Sequence, residues 1–151
     1  MTIIRVKTNP NRTLKFRTVV VCLLSSLFFS CTKEALYDQY QPIENALWEK
    51  NKEYYFSFQV TDISMPYDVT LEIRNNNLYP FQNLWVFCSE EQPIGPLKSD
   101  TIECMLADDY GKWHGKGISL FQSSFPVRKK FTFPHTGQYT FSVRQGMRND
   151  S

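Results

Sequence analysis

Cys31 is the residue best placed to do chemistry. It follows Leu27-Phe28-Phe29-Ser30, an apolar run closed by one small side chain, the setting in which a thiol takes up a diacylglyceryl group and the chain is cut in front of it. The run resembles a lipobox and departs from the common form at Phe28, where leucine is usual. Cys22 is a poorer candidate, because Val21 rather than a small residue precedes it. Two further cysteines, Cys88 and Cys104, face each other if the strands that carry them form a hairpin centred on Pro96. An oxidising compartment permits a disulfide there, although cross-strand geometry is demanding and buried reduced thiols are the commoner outcome.

Other constellations promise less. Gly111-Lys112-Trp113-His114-Gly115-Lys116-Gly117 has glycines close enough for backbone N–H groups to wrap an anion, but its spacing is not that of a phosphate loop and a strand comes after it. A β-turn is the better reading. His114 and His135, the only histidines, each lie in a turn sequence, and neither an HxxxH nor a CxxC pair supplies zinc ligands. Glu90-Glu91 and Asp108-Asp109 read as solvated loop acids, with a glycosidase carboxylate pair as the alternative that a structure must decide. No catalytic constellation and no cofactor site emerge, so the chain reads as a non-enzyme. The aromatic excess is harder to dismiss: Trp85, Phe87, Trp113, Phe121, Phe125, Phe131 and Tyr139 include rings that could face a glycan or a protein partner, with core packing the default for most.

The elements that carry these residues are set by periodicity. Residues 1–30 combine Arg5, Lys7, Arg12, Lys15 and Arg17, with no acid, and the apolar run Thr18 to Phe29, which is the layout of a secretory signal peptide. The run is too short for the ~20 residues a spanning helix needs. Five of the chain's 17 basic residues lie in this segment, so the remainder holds 12 against 15 acids, a net of −3. That excludes the electrostatic footprint of a nucleic-acid binder and a polybasic patch for anionic lipid.

Residues 31–52 read as a lipidated N-terminus and tether, with a short helix near Glu44 to Lys50 and with Tyr37, Tyr40, Ile43, Leu47 and Trp48 able to dock on the domain behind them. Residues 53–151 form one domain. Tyr54, Phe56, Phe58 and Val60 alternate with polar residues, as do Val69, Leu71 and Ile73 before the turn at Asn75-Asn76-Asn77. Strands are also expected at Leu84 to Ser89, Thr101 to Leu106, Ile118 to Gln122, Arg128 to Phe133 and Tyr139 to Gln145, the last after the turn Pro134-His135-Thr136-Gly137. About seven short strands punctuated by turns predict an all-β fold, an antiparallel β-sandwich or related barrel.

Taken together, these features resemble the GldH family of gliding-motility lipoproteins. The resemblance rests on the cysteine followed closely by Tyr37-Asp38-Gln39-Tyr40, the aromatic strand Tyr54 to Val60, and Pro66-Tyr67 leading to Leu71-Glu72-Ile73-Arg74-Asn75-Asn76. It continues through the Asp109-Tyr110-Gly111-Lys112-Trp113 turn and Pro134 to Gly137-Gln138-Tyr139, ending at Gln145-Gly146-Met147-Arg148. His114 stands where the family's turn usually carries an apolar residue, and family members usually continue past Asn149-Asp150-Ser151 through a further β segment. The resemblance implies a non-catalytic, membrane-anchored lipoprotein of the gliding-motility or associated secretion machinery, with other gliding-machinery proteins as partners. Since Thr32-Lys33-Glu34 is a poor version of the acidic cluster that directs such lipoproteins to the cell surface, the expected place is the outer membrane, facing the periplasm. A lipid-anchored carbohydrate-binding module using exposed aromatics is the alternative.

Overall fold

The structure, a computed structural model, describes residues 2–8 and 35–148. Cys31 and the apolar run before it lie outside the described residues. Two four-stranded antiparallel sheets pack face to face, as the alternation predicts. The first has the order β2-β1-β4-β7, from Tyr37–Gln41, Thr2–Thr8, Tyr67–Asn76 and Leu120–Phe131. The second has the order β3-β8-β5-β6, from Glu53–Val60, Gly137–Gln145, Asn83–Glu91 and Lys98–Met105.

The core is the sum of the apolar stripes. On β3, Tyr54, Phe56, Phe58 and Val60 are buried and the residues between them exposed, the period of two expected when one face of a sheet meets another. Tyr139, Phe141 and Val143 do the same on β8, opposite the β3 stripe through the pairs Phe58↔Tyr139, Phe56↔Phe141 and Tyr54↔Val143. Phe133, just past β7, closes the end of the sandwich. Its ring meets Tyr139 at 4.6 Å, Phe131 at 5.1 Å, Tyr67 at 5.3 Å and Phe58 at 6.0 Å, and so joins the two sheets. The Tyr139 hydroxyl donates to the His135 carbonyl at 2.9 Å, tying the Pro134 to Gly137 turn to the core. That turn needs glycine at 137, where φ is +139° and a Cβ would fall 2.8 Å from the Pro93 ring.

Four sequence expectations are revised. The segment expected as a tether contributes β2, and Leu36, Tyr37, Ile43 and Trp48 pack on the core, while Leu47 stays exposed. In place of a helix near Glu44 to Lys50 there is a single 3-10 turn at Glu44–Ala46, with Asn45 and Ala46 in the left-handed region. The two strands expected at 118–122 and 128–133 are one strand, β7, running through Pro126. Pro126 is tolerated because β7 is an edge strand, so the missing N–H costs no ladder bond. Finally, β1 comes from the segment read as the basic start of a signal peptide.

Glu90, expected from the sequence as a solvated loop acid, is instead a core position on a strand, with an unsatisfied carboxyl. It is buried on β5, neither carboxylate oxygen accepts a hydrogen bond among the described residues, and its nearest cation is Arg128 Nη2 at 3.5 Å. Arg128 is committed elsewhere, donating from Nη1 to Asp100 at 2.7 Å. Burial therefore pushes the Glu90 carboxyl above the usual range, offset in part by Lys98 and Arg128. A raised acid pKa favours the folded state while the proton is held, and stability falls as pH rises from the unfolded carboxyl's pKa through the folded one. Glu90→Gln should thus gain on the wild type by a few degrees in melting temperature at pH 7 and lose that advantage near pH 4. Melting curves across that range check it; a Glu90→Gln protein less stable at pH 7 than at pH 4, relative to wild type, would contradict the assignment.

Candidate functional site

The thiols are structural. Cys88 pairs with Asp100 and Cys104 with Leu84, so the β5–β6 hairpin turns about Ile94 and not Pro96. The two cysteines are offset by four residues, about 13 Å along the strands, and are not cross-strand partners; both are free and buried. That corrects the disulfide expectation, since a bridge needs Cα atoms within about 7 Å. Burial pushes both thiols up to about 12, so neither forms a nucleophilic thiolate at neutral pH.

The glycine-rich segment does not present a run of amides to an anion, because those of Gly111, Lys112, His114 and Lys116 are bonded within the chain. The Asp108 carboxylate accepts from Lys112 N at 2.9 Å and Tyr110 N at 3.0 Å, and these bonds hold it below the usual carboxylate range. His114 N donates to Leu106 O, Lys116 N to Gln122 O and Gly111 N to Asp108 O. The segment folds back on β7 as a tight loop, with Gly117 at φ +152° where a Cβ would collide with the Leu120 carbonyl. His114 and His135 are exposed, Glu90 and Glu91 point to opposite faces of β5, and no cluster of three potential metal ligands occurs among the described residues.

Most of the rings singled out from the sequence are engaged. Tyr139 is core; Phe125 and Phe131 pack against it; Trp113 stacks on Phe121 at 5.9 Å. Phe87 lies half-exposed on the outer face of the second sheet with the Arg144 guanidinium 5.0 Å over its ring and Gly146 packed against its edge. Trp85, also half-exposed, is beside it. The alternative of a sugar platform would thus have one open indole, and Trp113 would not serve it.

A different surface stands out, at the end of the sandwich where the 3-10 turn meets the β4–β5 connection. A cleft of about 530 Å³ there is walled by Ile43, Trp48, Tyr79, Leu84, Leu106 and Met147. Its walls are fixed by hydrogen bonds: Trp48 Nε1 donates to Lys52 O at 3.0 Å, Gln145 Nε2 to Trp48 O at 3.1 Å and the Tyr79 hydroxyl to Asn83 O at 2.9 Å. Burial pushes the Tyr79 hydroxyl up to about 12, in keeping with a dry wall. On the rim stand Leu78, 85% exposed, Leu47, 63%, and Leu120, 48%. The cleft is thus an apolar concavity ringed by exposed leucines, with Asn45, Arg74, Asn75, Asn76 and Gln145 also lining it. Sequence reasoning noted Leu47 and Trp48 but missed Leu78 and Leu120. The available signal was an apolar Leu78-Tyr79-Pro80-Phe81 run directly after a turn-forming asparagine run, where polar residues would be ordinary.

The family described as GldH lipoprotein matches residues 35–151. The "Gliding motility lipoprotein GldH homolog" of Christiangramia forsetii is 33% identical over 125 residues, covering 82% of this chain and 76% of that protein. The "Gliding motility lipoprotein GldH" of Flavobacterium johnsoniae is 31% identical over 129 residues, covering 85% of this chain and 80% of that protein. No solved structure matches. By a match that runs through seven of the eight strands and both sheets, the chain belongs to the GldH lipoprotein family.

Proposed function

We propose that this chain is a non-catalytic lipoprotein of the cell envelope, cut before Cys31 and acylated on it, that serves as a component of the gliding-motility or associated secretion machinery. The observation that carries the reading is where the family match begins. It starts at residue 35, four residues past Cys31, so the shared part is the part that a cut at Cys31 would leave. Outer-membrane attachment with the domain facing the periplasm is part of the proposal, and proteolysis of intact cells that degraded the domain would reverse the orientation.

Within that role the leucine-rimmed cleft is the face presented to a protein of the machinery. Leu78→Glu is the direct test, because a side chain 85% exposed adds nothing to the core and the fold should tolerate the change to within about 0.5 kcal/mol. A charge set on an apolar contact loses partner binding, by about 2 kcal/mol or more where the leucine is an anchor. Quantitative co-purification with the gliding proteins, from membranes carrying wild type or Leu78→Glu, should show the loss with melting temperature unchanged. Equal recovery would remove the cleft from the interface.

A further inference from the structure

We propose that the mature domain carries an open seat between β2 and β4 that accepts an extended strand from a partner envelope protein, with branched apolar residues on either side of a basic one. The inference rests on the cut before Cys31 proposed above. The seat is seen filled by the chain's own first residues. β1 pairs antiparallel with β4 over seven positions, from Thr2↔Ile73 to Thr8↔Tyr67, and with β2 over five, from Thr2↔Gln41 to Val6↔Tyr37. Ile4 and Val6 point inward, fully buried in the main core cluster. Between them Arg5 points outward to Asp38 at 2.7 Å and to Glu72 at 3.6 Å, the latter a carboxylate only 4% exposed.

Those residues belong to the basic start of the signal peptide, which stays on the cytoplasmic side while the domain crosses the membrane. The exported domain therefore parts from its own β1. There remain a row of β4 backbone groups without partners, two core positions to fill and an acidic pair, Asp38 and Glu72, facing the gap.

The gap does not have to collapse, because β2 is held by contacts in which β1 has no part. Arg74 on β4, one residue past the partner of Thr2, donates from Nη2 to the Tyr40 hydroxyl at 2.8 Å and lies 4.1 Å over its ring, a clasp from β4 to β2 at the Thr2 end of the seat. Gln41 donates from Nε2 to the Tyr55 carbonyl on β3, and Tyr37 packs on Phe58 of the second sheet at 5.4 Å. With β2 fixed about two strand spacings from β4, roughly 9.5 Å, the space between them has the width of one strand. Strand addition of this kind draws affinity from the main chain and specificity from alternate side chains. Here the specificity elements are two dry apolar sites and a carboxylate pair.

The test uses the mature lipoprotein purified from membranes in detergent, its N-terminus first established by mass, and a labelled peptide of residues 2–8 as probe. Hydrogen exchange should find every second β4 amide between 67 and 73, those that face the seat and not β7, fast in the mature protein and slowed at least about tenfold by the peptide, a protection equivalent to ~1.4 kcal/mol. Peptides carrying Val6→Asp or Arg5→Glu should bind at least about tenfold more weakly, and Glu72→Gln in the protein should narrow the difference between the arginine and glutamate peptides. Seat-facing β4 amides already slow without peptide, with no binding, would mean that β2 closes on β4 and would overturn the seat. So would equal binding of all peptides, or protection that appears only as the protein self-associates in sedimentation. A mass that retains residues 1–30 is a separate failure, sinking the cleavage reading and with it the vacancy.

Discussion

Replacing Cys31 by alanine should abolish lipid labelling completely and release the protein from its membrane. The expectation comes from the arithmetic of acyl chains. Each buried methylene contributes about 0.8 kcal/mol, one myristoyl-sized chain gives only K ≈ 10⁴ M⁻¹, and two or three chains make dissociation negligible. Without the thiol there is no thioether, and the twelve-residue apolar run at 18–29 is left as the sole hydrophobic attachment. As a helix it would reach about 18 Å, against a hydrocarbon core of about 30 Å. Any alanine protein still found with membranes should therefore be the uncut precursor, larger by 30 residues and released far more readily than wild type. Labelling with palmitate, followed by fractionation and intact mass, reads all three quantities. Wild-type protein that is fully soluble, or labelling that survives Cys31→Ala and disappears in Cys22→Ala, would displace the anchor.

Phe133→Ala should cost about 3–5 kcal/mol, the usual range for emptying a buried phenylalanine site. The ring is 1% exposed and touches aromatic partners from both sheets, so its removal opens a void at the closed end of the sandwich rather than a dent that one neighbour could fill. Lost with it are ring contacts of about 0.5–1.5 kcal/mol each beyond burial. Domains of this size are stable by only ~5–15 kcal/mol, so the variant should stand near the edge of folding at 37 °C. Urea unfolding measures the change. Tyr110→Ala, at a side chain 96% exposed, provides the comparison and should move stability by less than about 0.5 kcal/mol. If the two substitutions cost the same, Phe133 does not join the sheets.

The fold was largely legible where one rule dominated. β3 and β8 alternate without exception, and the turn between residues 134 and 137 announces itself through proline and glycine. Reading failed where a tertiary circumstance overrode the local signal. Pro126 looks like a strand breaker and is one in a sheet interior, but β7 lies at an edge, which periodicity does not reveal. The 88–104 pairing failed because two cysteines were allowed to set the hairpin centre. The ladder is instead set by Leu84, Val86 and Cys88 facing the core from β5. β2 was missed because its burial pattern is irregular, with Asp38 and Gln39 exposed and the others only half-buried. Of the candidate site, the cleft walls could not be seen in sequence, since Trp48, Tyr79, Leu106 and Met147 come from four distant segments. The exposed leucines on its rim were visible as misplaced apolar residues, and sequence reasoning underused that signal.

The irregular end of β7 has a consequence for life on a membrane. Lipid anchoring confines copies to a two-dimensional film, where their local concentration is high and strand edges meet often. Sheet-edge proteins under such crowding risk zipping into filaments through unpaired backbone. Pro126 removes a donor from the outer row of β7, and beyond it the ladder slips at Val69/Thr70 and Tyr67/Val69. There Lys130 takes a left-handed conformation with its amide turned to Asp68 at 2.8 Å, beside a second lysine at 129. This margin therefore offers a neighbour neither a regular row of donors nor a neutral surface. Edge-to-edge pairing through β7 is thereby disfavoured, even where copies crowd one membrane patch.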